Sequence, residues 1–161
     1  IAASGGKIYS TEYDVMSPPV DFRILLDKEW CTTHLYYFAT PFIFEGKRGK
    51  FNPSLYDKFC NYYVKGFINT IHSFNNAGYK FKKVFYPSSV SIEELPEDMM
   101  EYTAAKAAGE SICQIMNKIE DETKFMFPRL ERLDTDQTAN VFQVINNDPV
   151  SRMLTIIREL N

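Results

Sequence analysis

The stretch from Lys83 to Gly109 constrains the fold most. Val84, Phe85 and Tyr86 form an apolar run that turns at Pro87-Ser88-Ser89, and after a polar loop the chain enters a helix carrying Tyr102 and Lys106. A strand that ends in a hydroxyl, followed by a tyrosine and a lysine four apart on a helix, brings three proton-handling groups within reach of one point. Tyr-x-x-x-Lys alone proves little in a chain with 10 tyrosines. Tyr79 and Lys83 repeat it in an extended segment, where residues four apart stand about 13 Å from each other. Around Tyr102, by contrast, Ala104, Ala105, Ala107 and Ala108 are strong helix formers, and positions i and i+4 share a helix face. Lys106 beside the phenol is expected to favour the phenolate and lower a pKa of about 10, making Tyr102 a general acid or base. The plain alternative is an exposed Tyr-Lys pair.

The rest of the chain alternates short apolar runs with helices. Ile1 to Gly6 reads as a helix tail and its glycine stop, which points to a fragment, and Lys7 to Val15 reads as a strand ended before Ser17-Pro18-Pro19. Asp21 to Trp30 reads as a short helix. Leu35 to Phe38 is a strand candidate, and Phe42 to Phe51 reads as a mobile loop with solvated charges. Asn52 and Pro53 signal a helix start. Phe59, Tyr63, Phe67, Ile71 and Phe74 then recur at helical spacing, as core or subunit interface, until Asn75 to Gly78 ends the helix. A helix from about Met99 to Ile119, a strand from Lys124 to Phe127 ended by Pro128, and a last helix from Pro149, with Val150, Met153, Leu154, Ile157 and Leu160 on one face, complete the pattern. Such alternation predicts an α/β fold with a parallel sheet covered on both faces. It also places Val15, Ala39, Ser89 and Pro128 on the strand-end edge where open α/β sheets bind ligands.

At 161 residues the chain is sized for one domain, able to bury about 70% of its unfolded surface. A hydrophobic fraction of 45% is that of a globular protein, and a net charge of −3 with interspersed signs gives no nucleic-acid or membrane-surface footprint. Cys31, Cys60 and Cys113 show no Cys-x-x-Cys spacing and read as reduced thiols. With only His34 and His72, a histidine metal site has little support. The expected location, with no apolar run near ~20 residues and no signal peptide visible, is the cytoplasm.

With its elements in this order, the chain resembles the short-chain dehydrogenase/reductase family over nearly its whole length. Ser89 precedes Tyr102 by thirteen positions, Lys106 follows it by four, and Asn61 on the preceding long helix stands twenty-eight before Ser89; these match the family's Asn-Ser-Tyr-Lys spacing. Ser88 and Ser91 compete with Ser89, and spacing alone separates them. Asp14-Val15 resembles the family's adenine-contacting pair, and Leu35 to Ala39 stands where a strand ending in Asn-Asn-Ala-Gly is expected. Thr135 lies in a segment resembling the one that approaches the nicotinamide. Tyr37-Phe38-Ala39-Thr40 and Pro128-Arg129 depart from the family's Asn-Asn-Ala-Gly and Pro-Gly.

The resemblance implies a Rossmann-like parallel sheet truncated at the N-terminus, so that residues 1–161 form a single partial domain. It implies an oxidoreductase using NAD or NADP on a carbonyl or secondary alcohol. Tyr102 would exchange the proton, Lys106 would tune it and hold the ribose, Ser89 would bond the carbonyl oxygen and Asn61 would hold a water. Asp14, Val15, Ala39, Tyr102, Lys106, Pro128 and Thr135 would contact the cofactor. The glycine-rich turn that cradles the pyrophosphate is missing, so the chain alone is expected to bind cofactor poorly and to be inactive. That absence also motivates a rival reading, a non-catalytic domain kept for binding or assembly. Family members pair through the helices matching 53–74 and 99–119, which implies a homo-oligomer, with close approach at Gly66, Ala104, Ala108 and Gly109.

Overall fold

A computed structural model of the chain describes Gly5 and residues 12–17, 33–131 and 149–160. Three short strands, β1 (His34–Tyr36), β2 (Lys83–Phe85) and β4 (Lys124–Met126), form a parallel sheet in the order β1-β2-β4. Two shorter strands, β3 (Ser88–Ser89) and β5 (Arg129–Leu130), also pair in parallel. They keep the register of β2 and β4: Lys83 opposes Lys124 and Ser88 opposes Arg129 at the same offset. Donation from Tyr86 N to Met126 O and from Ser88 N to Pro128 O bridges the gap. Pro87-Ser88-Ser89 therefore prolongs the strand where the sequence predicted a turn, because Pro87 and Pro128 interrupt the ladder without ending it.

The helical layer consists of a long helix and α4 (Met100–Ile119), with short α3 (Ser91–Glu94) between them. The long helix runs as α1 (Pro53–Cys60), a π-helical segment (Asn61–Gly66) and α2 (Phe67–Asn76). Asn52 caps α1, its side chain accepting from Ser54 N and Leu55 N, and Pro53 occupies the first turn. Leu55, Phe59, Tyr63, Phe67 and Ile71 are all buried. Successive members stand four apart, and in a regular helix each step of four drifts about 40° around the axis, which would carry the stripe off one face. The under-wound π-helical segment offsets that drift. It also leaves the Tyr62 carbonyl to accept from the Tyr37 phenol at 2.6 Å. The aromatic stripe is thus the core; Gly66 and Gly109 also face inward. A Cβ on Gly66 would stand 2.9 Å from Tyr37 Oη, and one on Gly109 only 2.0 Å from Tyr86 Oη. Neither glycine offers close approach to a partner.

The loop expected to be mobile is tied to the start of α4. Gly49 N donates to Glu97 O at 3.3 Å, and Arg48 pairs with Glu97. Asn52 N donates to Glu101 Oε1 at 2.5 Å. Glu101 is 1% exposed and stands at the N-termini of both α1 and α4, whose partial positive charges favour a carboxylate there. On the other side, Asn117 of α4 donates to Phe125 O and accepts from Phe125 N, completing the backbone bonding of β4.

Residues 12–15 of the strand expected from Lys7 carry no ladder: Asp14 and Val15 open a turn closed by Ser17 N donating to Asp14 O. The helix expected over Asp21–Trp30 lies outside the described residues. The last helix, α5 (Pro149–Leu160), forms as expected but turns Ile156 inward, while Val150 and Leu154 are exposed. Among the described residues no helix is long and apolar enough to cross a membrane, and no cluster could hold a metal ion.

Glu101→Ala leaves the Asn52 N–H without its acceptor, so it should lower the unfolding free energy by ~1–3 kcal/mol in urea titrations. Arg48→Ala, which removes only an exposed pair, should change it by less than about 1 kcal/mol.

Candidate active site

Helix α4 turns Tyr102, Lys106 and Glu110, spaced four apart, toward the strand above them, and each meets one of three consecutive residues there. The Tyr102 phenol faces the Ser89 hydroxyl, near enough for that hydroxyl to lower its pKa, while Ser89 Oγ itself accepts from Ser91 N at 3.2 Å. Lys106 Nζ donates to Pro87 O at 2.6 Å, and Ser88 Oγ donates to Glu110 Oε1 at 2.6 Å. The structure thus brings Tyr102, Lys106 and Ser89 together and separates Ser89 from its two competitors. Ser88 points to Glu110, and Ser91 Oγ is buried without a partner among the described residues.

The electrostatics differ from the sequence expectation. Burial raises the Tyr102 pKa, and the neighbouring Ser89 hydroxyl lowers it only in part. The ring stands edge-on to Phe59 and Tyr63, at centroid distances of 5.9 and 5.6 Å, so its surroundings are apolar. Lys106 does not offset this. Its Nζ lies 5.9 Å from the Tyr102 centroid, farther than from the faces of Tyr63 at 4.1 Å and Tyr86 at 5.0 Å. Burial holds the lysine itself down at about 7, so at neutral pH it is only partly charged. The Tyr102 phenol is therefore neutral at physiological pH, a proton donor and not a phenolate.

Asn61 opens the π-helical segment and is half-buried. Among the described contacts, the segment reaches Lys106 through the Tyr63 ring instead. The Tyr63 phenol is in turn 2.5 Å from Thr40 Oγ1, at the end of the segment following β1. Of the expected cofactor contacts, Val15 belongs to the core, 9% exposed and packed toward Gly66. Asp14 is exposed, but its carboxylate caps its own turn, accepting from Met16 N at 2.9 Å and Ser17 Oγ at 3.3 Å. Ala39 is half-buried just beyond β1, and Pro128 lies within the β4–β5 ladder, not past its end. Thr135 lies outside the described residues.

Sequence reasoning missed Glu110 and the aromatic enclosure of Lys106. Glu110 was within reach, since it continues the Tyr102, Lys106 series by one further turn. Arg129, noted only as a departure, forks onto it. Its Nε and Nη2 donate to the two Glu110 oxygens at 2.8 Å each, and its Nη1 donates to Glu93 at 2.7 Å. Arg129 and the Ser88 bond hold the Glu110 pKa below its usual value.

No protein-family model and no curated protein matches the chain. Solved structures do. An alcohol dehydrogenase from the archaeon Thermococcus sibiricus, complexed with 5-hydroxy-NADP, matches with a TM-score of 0.74 at 13% identity, covering 99% of this chain and 72% of that one. A 3-oxoacyl-[acyl-carrier protein] reductase from Brucella melitensis, in complex with NAD, gives a TM-score of 0.67 at 17% identity over 98% and 64%. For a short-chain dehydrogenase from Burkholderia cenocepacia, in complex with NADP, the TM-score is 0.57 at 15% identity over 71% and 49%. The chain thus spans about half the length of that last relative. Parallel strands, crossover helices and strand-end site together give this chain the fold of the short-chain dehydrogenases/reductases.

Proposed function

We propose that the protein is an NAD(P)(H)-dependent oxidoreductase of the short-chain dehydrogenase/reductase type, acting on a carbonyl or secondary alcohol. The observation that carries this reading is the Tyr102 phenol facing the Ser89 hydroxyl at a strand end, one helical turn from a buried lysine that donates to Pro87 O. Two hydroxyls and an amine are the donor set that a carbonyl oxygen and a ribose diol require, so the nicotinamide half of the cofactor fits. Lys106, Ala39 and Pro128 would hold it, with Thr135 in the segment beyond and Asp14 toward the adenine. When bound, the cofactor supplies or accepts the hydride.

The chain's own residues handle the proton. Burial keeps the Tyr102 phenol protonated, which suits donation to a carbonyl oxygen in the reducing direction. Ser89 would bond the same oxygen and orient it. Asn61 would act through water near Lys106. Pairing through the helices around 53–74 and 99–119 belongs to this reading as well. Ile115 and Ile119, 55% and 68% exposed on α4, support it, and light scattering should find a dimer or larger; a monomer at high concentration would count against pairing.

A second reading, a non-catalytic domain of the same fold, draws on one observation. The Lys106 amine already donates to the Pro87 carbonyl and is covered by ring faces. Titration of the intact protein with NADH and NADPH separates the two, since no binding of either favours the second.

Tyr102→Phe should reduce turnover by at least ~100-fold while leaving the fold and cofactor affinity nearly unchanged; full activity in that variant sinks the mechanism. Ser89→Ala should lower kcat with little change in cofactor KM. The buried lysine gives a separate test. Its folded pKa of about 7 lies below the ~10.4 of an unfolded lysine, so between these values the unfolded chain binds the extra proton and stability rises with pH. Lys106→Met removes this contribution. The stability advantage of Lys106→Met over the wild type should be largest at pH 7 and below and shrink toward pH 10, and a pH-independent difference in urea unfolding would refute the buried-amine assignment.

A further inference from the structure

The proton chemistry at Tyr102 uses neither Glu110 nor Arg129. Yet Glu110 is 4% exposed, and both of its oxygens accept hydrogen bonds. A carboxylate buried at that depth loses hydration that its partner only offsets, so an ion pair of this kind is weak evidence for stability. Its meaning lies in what it holds in place.

Two stretches of chain converge on one guanidinium. Ahead of Ser89, Ser88 Oγ shares Glu110 Oε1 with Arg129 Nε. Behind Ser89, Glu93 of α3 accepts from Arg129 Nη1 at 2.7 Å. Between them, Val90 N donates to Leu130 O at 3.1 Å, tying the intervening backbone to the strand that carries Arg129. Ser88 and Arg129 also oppose each other in the β3–β5 ladder. Ser89 is therefore the residue whose chain is fastened on both sides.

Building on the dehydrogenase/reductase reading, we propose that Arg129 and Glu110 are positioning residues that clamp the chain on either side of Ser89, so that its hydroxyl meets the Tyr102 phenol. They touch neither substrate nor cofactor and act only through Ser89. About 1 Å of misplacement at a reacting centre can cost ~100-fold in rate, and a serine at an untethered strand end would be free to move that far.

The test reads the approach of the Ser89 hydroxyl to the Tyr102 phenol directly, without turnover. In the intact protein carrying tyrosine labelled with ¹³C at Cζ, Tyr102→Phe identifies the Tyr102 resonance, whose position follows the hydrogen bonding of the phenol. Ser89→Ala should shift it. The double variant Glu110→Leu, Arg129→Met removes the clamp without leaving a buried charge unpaired, and should shift the resonance as Ser89→Ala does. Ser89→Ala added to that variant should then produce no further shift, a non-additivity that marks coupled residues. If Ser89→Ala shifts the resonance equally with and without the clamp, the proposal is overturned. Should the double variant fail to fold, Arg129→Lys decides. It keeps a cation opposite Glu110 but lacks the fork that also reaches Glu93, so the Ser89→Ala shift should be smaller there, and an undiminished shift overturns the proposal equally. In an active protein, clamp loss should also lower kcat toward the Ser89→Ala value at unchanged cofactor KM. A wild type that shows the coupling but no turnover would refute the enzymatic reading and leave the clamp standing.

Discussion

The contact between one face of α4 and the strand above it organises the site, and its geometry follows from how a crossover helix must run. A helix that returns from a parallel strand runs back along it. Accordingly Ser89 meets Tyr102, Pro87 meets Lys106 and Tyr86 stands over Gly109, in opposite chain directions. Glu110 breaks that order by reaching Ser88. Long side chains on a helix lean toward its N-terminus, and this one leans far enough to rejoin the strand end.

Three acidic or basic side chains are buried along α4, and each is accommodated by a different kind of partner. Glu101 rests at two helix N-termini and takes a backbone N–H. Lys106 has a backbone carbonyl and the faces of three tyrosine rings, contacts that stabilise an ammonium by ~0.5–2 kcal/mol each, yet burial still draws its pKa to about 7. Glu110 alone has a full counter-charge. These differences explain why Lys106 fails to acidify Tyr102. An amine that is half neutral and closer to two other rings has little field to lend.

The parallel α/β architecture was legible because strand and helix periodicities are local. Val84 to Tyr86, the alanines around Tyr102 and the Asn52-Pro53 start declare themselves within a few residues. The Tyr102, Lys106 and Ser89 juxtaposition was legible for the same reason, with spacing selecting one serine among three. Burial was not, since depth depends on residues distant in sequence: Phe59 and Tyr63 make the Tyr102 surroundings apolar, and neither is near it in the chain. The π-helical segment lay between these extremes. Apolar residues at 55, 59, 63, 67 and 71 repeat every four positions, which a regular helix cannot keep on one face, but the stripe reads as an ordinary helix unless that drift is counted. Arg129 was visible only as a departure, because nothing in its own neighbourhood reveals a carboxylate nineteen residues earlier.

Arg129 joins two carboxylates that differ sharply in their access to water. The Glu93 side chain is 64% exposed and that of Glu110 only 6%. Mobile ions weaken charges in solvent and scarcely affect those the protein encloses. Rising ionic strength therefore acts on the two arms of one guanidinium unequally: it weakens the hold on the short helix after Ser89 while the hold on α4 persists, so that behind the serine the backbone bond from Val90 N to Leu130 O is left to carry more of the tie.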